Sequence, residues 1–159
     1  MSTLIKQADI RTIAMGVAVT RAAAVVPTVA QSPQSVFTVA GGRIVITAFV
    51  GAVTTVMDAT AYTITIGLTP TVGTAAAAAL ASGTALASKE VGTLVGLGAA
   101  VGGAMVVGTN ASTPVLIAAP RQVIEPGTIT LTGSATQTGA MSWTLVYVAL
   151  DTGVTVAAA

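Results

Sequence analysis

The chain has 159 residues, of which six are basic and five acidic, so charged residues make up only 7% and the formal net charge is +1. Soluble domains carry about 25% charged residues. A folded monomer this poor in charge has little electrostatic repulsion to keep copies apart in solution. We therefore expect most of its surface to be covered by copies of itself, by a larger assembly or by lipid.

The missing residue types exclude several classes of function. The chain has no cysteine for disulfides or thiolate metal sites, and no histidine, the commonest general base and metal ligand. Serine-based catalysis would have to use Lys6 or Lys89, and Lys89 beside Glu90 is typical of a solvated corner. The acids are isolated and the basic residues do not cluster, which disfavours nucleic-acid binding. We predict a protein that is not an enzyme and binds no cofactor or metal.

Residues 1–34 differ from the rest of the chain and are predicted to form an extended arm that lies along a surface. Pro27 and Pro33 disfavour a helix. Four apolar residues could pack on one side without making a convincing helical stripe: Ile10, Ile13, Met15 and Val17. Residues 35–159 are predicted to form a separate β-domain.

The arm also carries the candidate partner-binding residues, which are Lys6, Arg11 and Arg21. Each of these cations could hold the arm against an acidic partner through a charge-assisted hydrogen bond. With equal weight, the same residues could simply keep a loose chain end soluble. The sequence does not decide between these two roles.

Strand signals begin at residue 35. Residues 36–39 and 43–53 flank Gly41 and Gly42, a pattern that predicts a hairpin. In residues 61–67, Tyr62, Ile64 and Ile66 alternate with threonines, which predicts a half-buried strand. Residues 74–88 are equally compatible with a short strand and a helical turn, because five alanines are followed by Gly83.

Residues 91–107 are uncharged and hydropathic enough to suggest a membrane-spanning helix, but five glycines favour strands joined by turns. Further short segments are expected at 115–118 and 121–124. Residues 128–132 and 141–150 then predict a second hairpin, whose last strand is apolar on nearly both faces and should be central or buried by a partner. About eight strands without a long helix predict an all-β fold, a β-sandwich or jelly-roll-like barrel.

Four segments, in this order, resemble small virion proteins of tailed bacteriophages. They are residues 37–46 (FTVAGGRIVI), 51–55 (GAVTT), 70–73 (PTVG), and the ending from 127–129 (GTI) through 139–150 (GAMSWTLVYVAL). The likeness covers roughly residues 36–157, and no single motif is specific alone. It is closest in kind to capsid decoration (cement) proteins or related head components.

This resemblance implies a β-sandwich that forms a homotrimer or, less favoured, a homodimer and clamps neighbouring subunits of the major capsid protein on the virion surface. Such a protein would be assembled in the cytoplasm of the bacterial host and would bind neither nucleic acid directly nor a membrane. The resemblance supplies no catalytic residues. Two alternatives stay open: another phage component, such as a head fibre base or tail protein, and a membrane-associated protein.

Overall fold

The computed structural model describes residues 7–73, 78–115 and 121–159. These residues form an all-β protein with two antiparallel sheets that pack face to face, which confirms the predicted β-sandwich. No closed barrel is present in the described part of the chain. The regular elements of these residues are helix α1 (Gln7–Met15), a 3-10 helix (Val29–Gln31) and eleven strands, β1 (Val17–Val25), β2 (Gln34–Ala40), β3 (Ile44–Thr55), β4 (Thr63–Pro70), β5 (Ala78–Ala85), β6 (Leu94–Gly96), β7 (Val106–Val107), β8 (Gln122–Ile124), β9 (Gly127–Gly133), β10 (Ala140–Ala149) and β11 (Thr155–Ala158).

One sheet has six strands in the order β1-β10-β3-β6-β7, with β8 also paired to β3, and the other has five in the order β11-β2-β9-β4-β5. The chain crosses between the sheets at most of its connections. Among the strands described, only β4 with β5 and β6 with β7 pair with their neighbour in sequence. Frequent crossing places consecutive strands in opposite layers, which is typical of a sandwich.

The hairpin predicted around Gly41 and Gly42 is therefore wrong. Strand β2 pairs with β9 and β11 in the five-stranded sheet, whereas β3 pairs with β10, β6 and β8 in the other. The two glycines form the corner between the layers, and both adopt positive φ, +80° and +156°. Glycine adopts such conformations without a steric penalty, so the same turn signal serves a corner as well as a hairpin.

The second predicted hairpin is wrong for the same reason. Strand β9 pairs with β2 and β4, and β10 pairs with β1 and β3, so the loop between them also joins the two sheets. The prediction that the last long strand is central is confirmed, because β10 lies between β1 and β3. Its inward side chains Trp143, Leu145 and Tyr147 are all buried.

The core is filled by the alternating apolar side chains of both sheets. Tyr62, Ile64 and Ile66 are at most 1% exposed, which confirms the predicted half-buried strand in residues 61–67. Phe37 from one sheet meets Phe49 from the other edge-to-face, with ring centroids 5.9 Å apart. Residues that alternate between core and solvent thus hold the two layers together.

The N-terminal segment has more regular structure than predicted. Residues 7–15 form α1, so the expectation of an arm without helix is wrong there. Residues 17–25 are extended as predicted, but they pair with β10 as an edge strand of the six-stranded sheet. Val26 is buried in the core, and its amide nitrogen donates to the carbonyl oxygen of Gly139 at 3.1 Å.

The two ambiguous stretches are strands and turns where they are described. Residues 78–85 form β5, whereas residues 74–77 lie outside the described residues, as do residues 116–118 of the predicted segment 115–118. Residues 91–107 contain β6, β7 and glycine-containing turns, as favoured from the sequence. None of the helices described is long and apolar enough to span a membrane.

Candidate interaction surfaces

Charge is almost absent from the two sheets. In the eleven strands described, Arg21 is the one charged residue. The other charged residues of the described chain lie in α1 or in the loops at the two ends of the sandwich. Solvent-facing sheet positions are usually polar or charged, so the faces of this sandwich differ from those of an ordinary soluble domain.

The outer face of the six-stranded sheet, hereafter the six-strand face, is made of small, apolar and hydroxyl residues. Register places its outward side chains in four cross-strand rows: Val148–Val45–Val123, Ala18–Val146–Ala48, Thr20–Thr144–Val50–Gly96 and Ser142–Ala52–Leu94. Val148 and Val123 are 37% and 58% exposed. None of the residues in these rows is charged, so covering the six-strand face desolvates no ion.

Helix α1 presents a second apolar surface. Ile10, Ile13 and Met15 are 56%, 75% and 63% exposed. The hydroxyl of Thr47 donates to the carbonyl oxygen of Met15 at 3.0 Å, which ties the end of the helix to β3. The sequence had shown these apolar positions without indicating that they would be exposed.

The three predicted partner-binding residues lie in different parts of the chain. Lys6 lies outside the described residues, and Arg11 lies in α1. Arg21 lies in β1, where its Nε donates to the carbonyl oxygen of Ala159 at 3.0 Å. That bond joins the edge of one sheet to the end of the other, since β11 precedes Ala159. A role of these cations in partner binding stays a prediction.

The outer face of the five-stranded sheet carries a grid of threonines. Thr128 pairs with Thr38 on one side and Thr69 on the other, and Thr132 pairs with Thr65. A shallow concavity of about 250 Å³ lies where Gly67 supplies no side chain. Its lining is uncharged, namely Pro33, Thr65, Gly67, Thr69, Ala78, Ala79, Thr130 and Thr132.

One end of the sandwich is held by an ion pair that the sequence did not predict. Arg43 donates from Nε and Nη2 to the two carboxylate oxygens of Asp151, at 3.0 and 2.9 Å, and its backbone nitrogen donates to the same carboxylate at 2.8 Å. These bonds lower the pKa of Asp151 to about 2. The pair fastens the β2–β3 corner to the loop between β10 and β11.

The depressed pKa of Asp151 predicts a loss of stability in acid. The ionised carboxylate stabilises the folded state above its unfolded pKa of about 4, and this contribution disappears as the pH falls through about 2. We expect the melting temperature of Asp151→Asn to lie below that of the parent at pH 6 and to meet it near pH 2. Thermal melts across this range measure the difference, and a constant gap between the two proteins would contradict the assignment.

At the opposite end, polar side chains tie loops together. Gln137, which is buried, accepts hydrogen bonds from the backbone nitrogens of Asp58 at 2.8 Å and Thr138 at 2.9 Å. Lys89 donates to the carbonyl oxygen of Gly108, and Glu90 accepts from the backbone nitrogen of Ala111. These bonds give Lys89 and Glu90 a structural role in the loops of this end.

The described residues contain no group of three or more acidic residues that could hold a metal ion. The candidate interaction surfaces are the six-strand face, the exposed side of α1 and the threonine grid. Comparisons of the chain with protein-family models, with curated proteins and with solved structures gave no match.

Proposed function

We propose that this protein is a non-enzymatic structural component of a tailed-bacteriophage virion, which self-associates and binds the outside of the capsid. There it clamps neighbouring subunits of the major capsid protein and stabilises the head. The observation that carries the proposal is the near absence of charge from both sheets, where Arg21 is the one charged residue in the strands described. The resemblance of residues 37–46 and 139–150 to virion proteins supplies the kind of assembly.

Self-association follows from the exposed apolar side chains. Burial of apolar surface stabilises a contact by about 25 cal/mol per Å², and Ile10, Ile13, Met15, Val123 and Val148 are available for it. A homotrimer is the proposed state, with a homodimer as the alternative. No charged group within the rows of the six-strand face has to lose its hydration when that face is covered.

Clamping follows from multivalency. An oligomer presents the same capsid-binding surface several times, so that it contacts several capsomers together. Linked contacts of this kind raise the overall affinity by about 10²–10⁴ over a single contact. Together, weak individual contacts can then resist the outward pressure of packaged DNA. This role requires no catalytic residue on the surface.

Three measurements test the proposal. Native mass spectrometry of the purified protein should give a trimer, and shells of the cognate major capsid protein should bind it in a co-sedimentation assay. Electron microscopy of the decorated shells should place it outside, between capsomers. A protein that stays monomeric at high concentration and does not bind the shells would overturn the proposal. Density in the tail or at a head fibre base would identify it as a different phage component.

A further inference from the structure

We propose that helix α1 of one subunit docks on the six-strand face of a neighbouring copy of the same chain. This inference rests on the self-association proposed above and identifies the contact that produces it. Each copy then contributes one helix and one sheet face, so that a closed ring leaves neither surface uncovered.

Helix α1 is left uncovered by its own subunit at the apolar positions whose side chains are described, Ile10, Ile13 and Met15. It has nine residues, and helices shorter than about 12–15 residues are marginal in water without packing. Ile10 and Ile13 are three positions apart and therefore lie on the same side, yet both are more than half exposed. A helix of this length needs a surface that covers its apolar side.

The six-strand face is the kind of surface that such a helix covers. Sheet faces with apolar residues are normally buried against another layer. The row Val148–Val45–Val123 is apolar throughout, and the next row, Ala18–Val146–Ala48, has two alanines that permit close approach. A helix that lies on these rows meets no charged side chain.

The dimensions of the two surfaces agree. Nine helical residues are about 13.5 Å long, and the four strands β1, β10, β3 and β8 span roughly 14 Å at the usual spacing between strands. Along β10, the outward positions from Ser142 to Val148 extend over roughly 20 Å. The face therefore accommodates the whole helix in either direction.

The position of α1 favours exchange between copies. Its last residue, Met15, is bound to Thr47 at the six-stranded sheet, and Gly16 turns the chain into β1 with φ +96°. The helix thus ends beside the same face of its own subunit that it would cover in a neighbour, so that the helix of each subunit can reach the next copy in a ring. We therefore assign the six-strand face to a second copy of the chain, because both α1 and this face carry exposed apolar side chains.

Charge insertion tests the contact. Ile13→Asp on the helix and Val148→Asp on the sheet should each weaken self-association at least tenfold, because each places a carboxylate in an apolar contact. Val101→Asp is the matched control, since Val101 is 70% exposed in the loop between β6 and β7. Sedimentation equilibrium measures the dissociation constants, and circular dichroism verifies that the variants are folded.

Cysteine cross-linking locates the partner surface directly, because the chain has no cysteine of its own. Oxidation of a mixture of Ile13→Cys and Val148→Cys proteins should give a heterodimeric disulfide that mass spectrometry assigns to positions 13 and 148. A mixture of Ile13→Cys and Val101→Cys should give none above background.

The outcomes separate this inference from the proposed function. If Ile13→Asp and Val148→Asp associate as strongly as the parent and still bind capsid shells, the helix–sheet contact is wrong and the capsid role stands. If the parent protein is monomeric and ignores the shells, both proposals are wrong. A disulfide between positions 13 and 148 together with weakened association supports the contact.

Discussion

Replacing Trp143 by alanine is expected to lower the free energy of unfolding by about 3–5 kcal/mol, a large part of the stability of a domain of this size. Trp143 is 1% exposed and lies on central strand β10. Its ring centroid is 5.3 Å from that of Phe49, which in turn contacts Phe37 of the opposite sheet. Removal of the indole leaves a cavity in the middle of the aromatic cluster that joins the layers.

The backbone around Trp143 is shaped to hold the indole. Gly51 is its partner on β3, and a Cβ at Gly51 would lie 2.6 Å from the indole Cζ3. The indole therefore occupies the space that a side chain at position 51 would need. In the alanine variant this space is left empty except where the neighbouring Met141 side chain moves into it, so the cost depends on how far the site collapses.

Urea denaturation followed by far-ultraviolet circular dichroism measures this effect. Fluorescence is unsuitable because Trp143 is the one tryptophan of the chain. Protein concentration must be equal for all variants, since self-association adds to the apparent stability. Trp143→Phe keeps a ring in place and should cost clearly less than Trp143→Ala. Equal losses of under 1.5 kcal/mol in both variants would show that the cluster does not join the sheets.

The sequence predicted which residues face the core, but not which strands pair. Alternation in Tyr62, Ile64 and Ile66 follows from the two-residue period of a strand and needs no partner. Pairing depends on contacts between residues far apart in sequence. Gly41 and Gly42 favour a sharp change of chain direction, which occurs both in a hairpin and in a corner between sheets. The pattern could therefore not distinguish the two.

The candidate surfaces were less predictable than the fold. Low charge led to the expectation of a covered surface, but the positions of Val45, Val123 and Val148 in one row depend on the register of three strands. The bond from Arg21 to Ala159 joins residues at opposite ends of the sequence, so no local pattern reveals it. The spacing of Ile10 and Ile13 can be read from the sequence, whereas the exposure of their side chains is known only from the structure.

A substitution at Gly133 tests whether the segment of residues 26–33 is packed as part of the sandwich. Gly133, in β9, packs against this segment, and its backbone nitrogen donates to the hydroxyl of Ser32 at 2.8 Å. A Cβ at Gly133 would lie 2.6 Å from the Tyr62 hydroxyl and would overlap the carbonyl oxygen of Pro27. The Tyr62 hydroxyl donates to that same carbonyl oxygen at 2.8 Å inside the protein.

Gly133→Ala should therefore displace Pro27 or Tyr62 and lower the free energy of unfolding by about 3 kcal/mol, through overpacking and the loss of a buried hydrogen bond. Gly83→Ala is the matched control, because Gly83 is exposed in edge strand β5 and its added Cβ would meet Thr63 at an ordinary 3.5 Å. The control should change stability by less than 1 kcal/mol, since it exchanges one small strand residue for another at an open position.

A second readout follows the displaced hydroxyl itself. Burial raises the pKa of Tyr62 to about 12, and ultraviolet absorbance titration should show this pKa falling toward its ordinary value of about 10 in Gly133→Ala. The control should leave it unchanged. If Gly133→Ala is as stable as the parent and the pKa of Tyr62 does not move, residues 26–33 yield to the new methyl group without cost and are only loosely attached to the sandwich. A fall in both quantities shows instead that this segment is packed as part of the core, which would leave α1 as the described N-terminal element that is free to contact a neighbour.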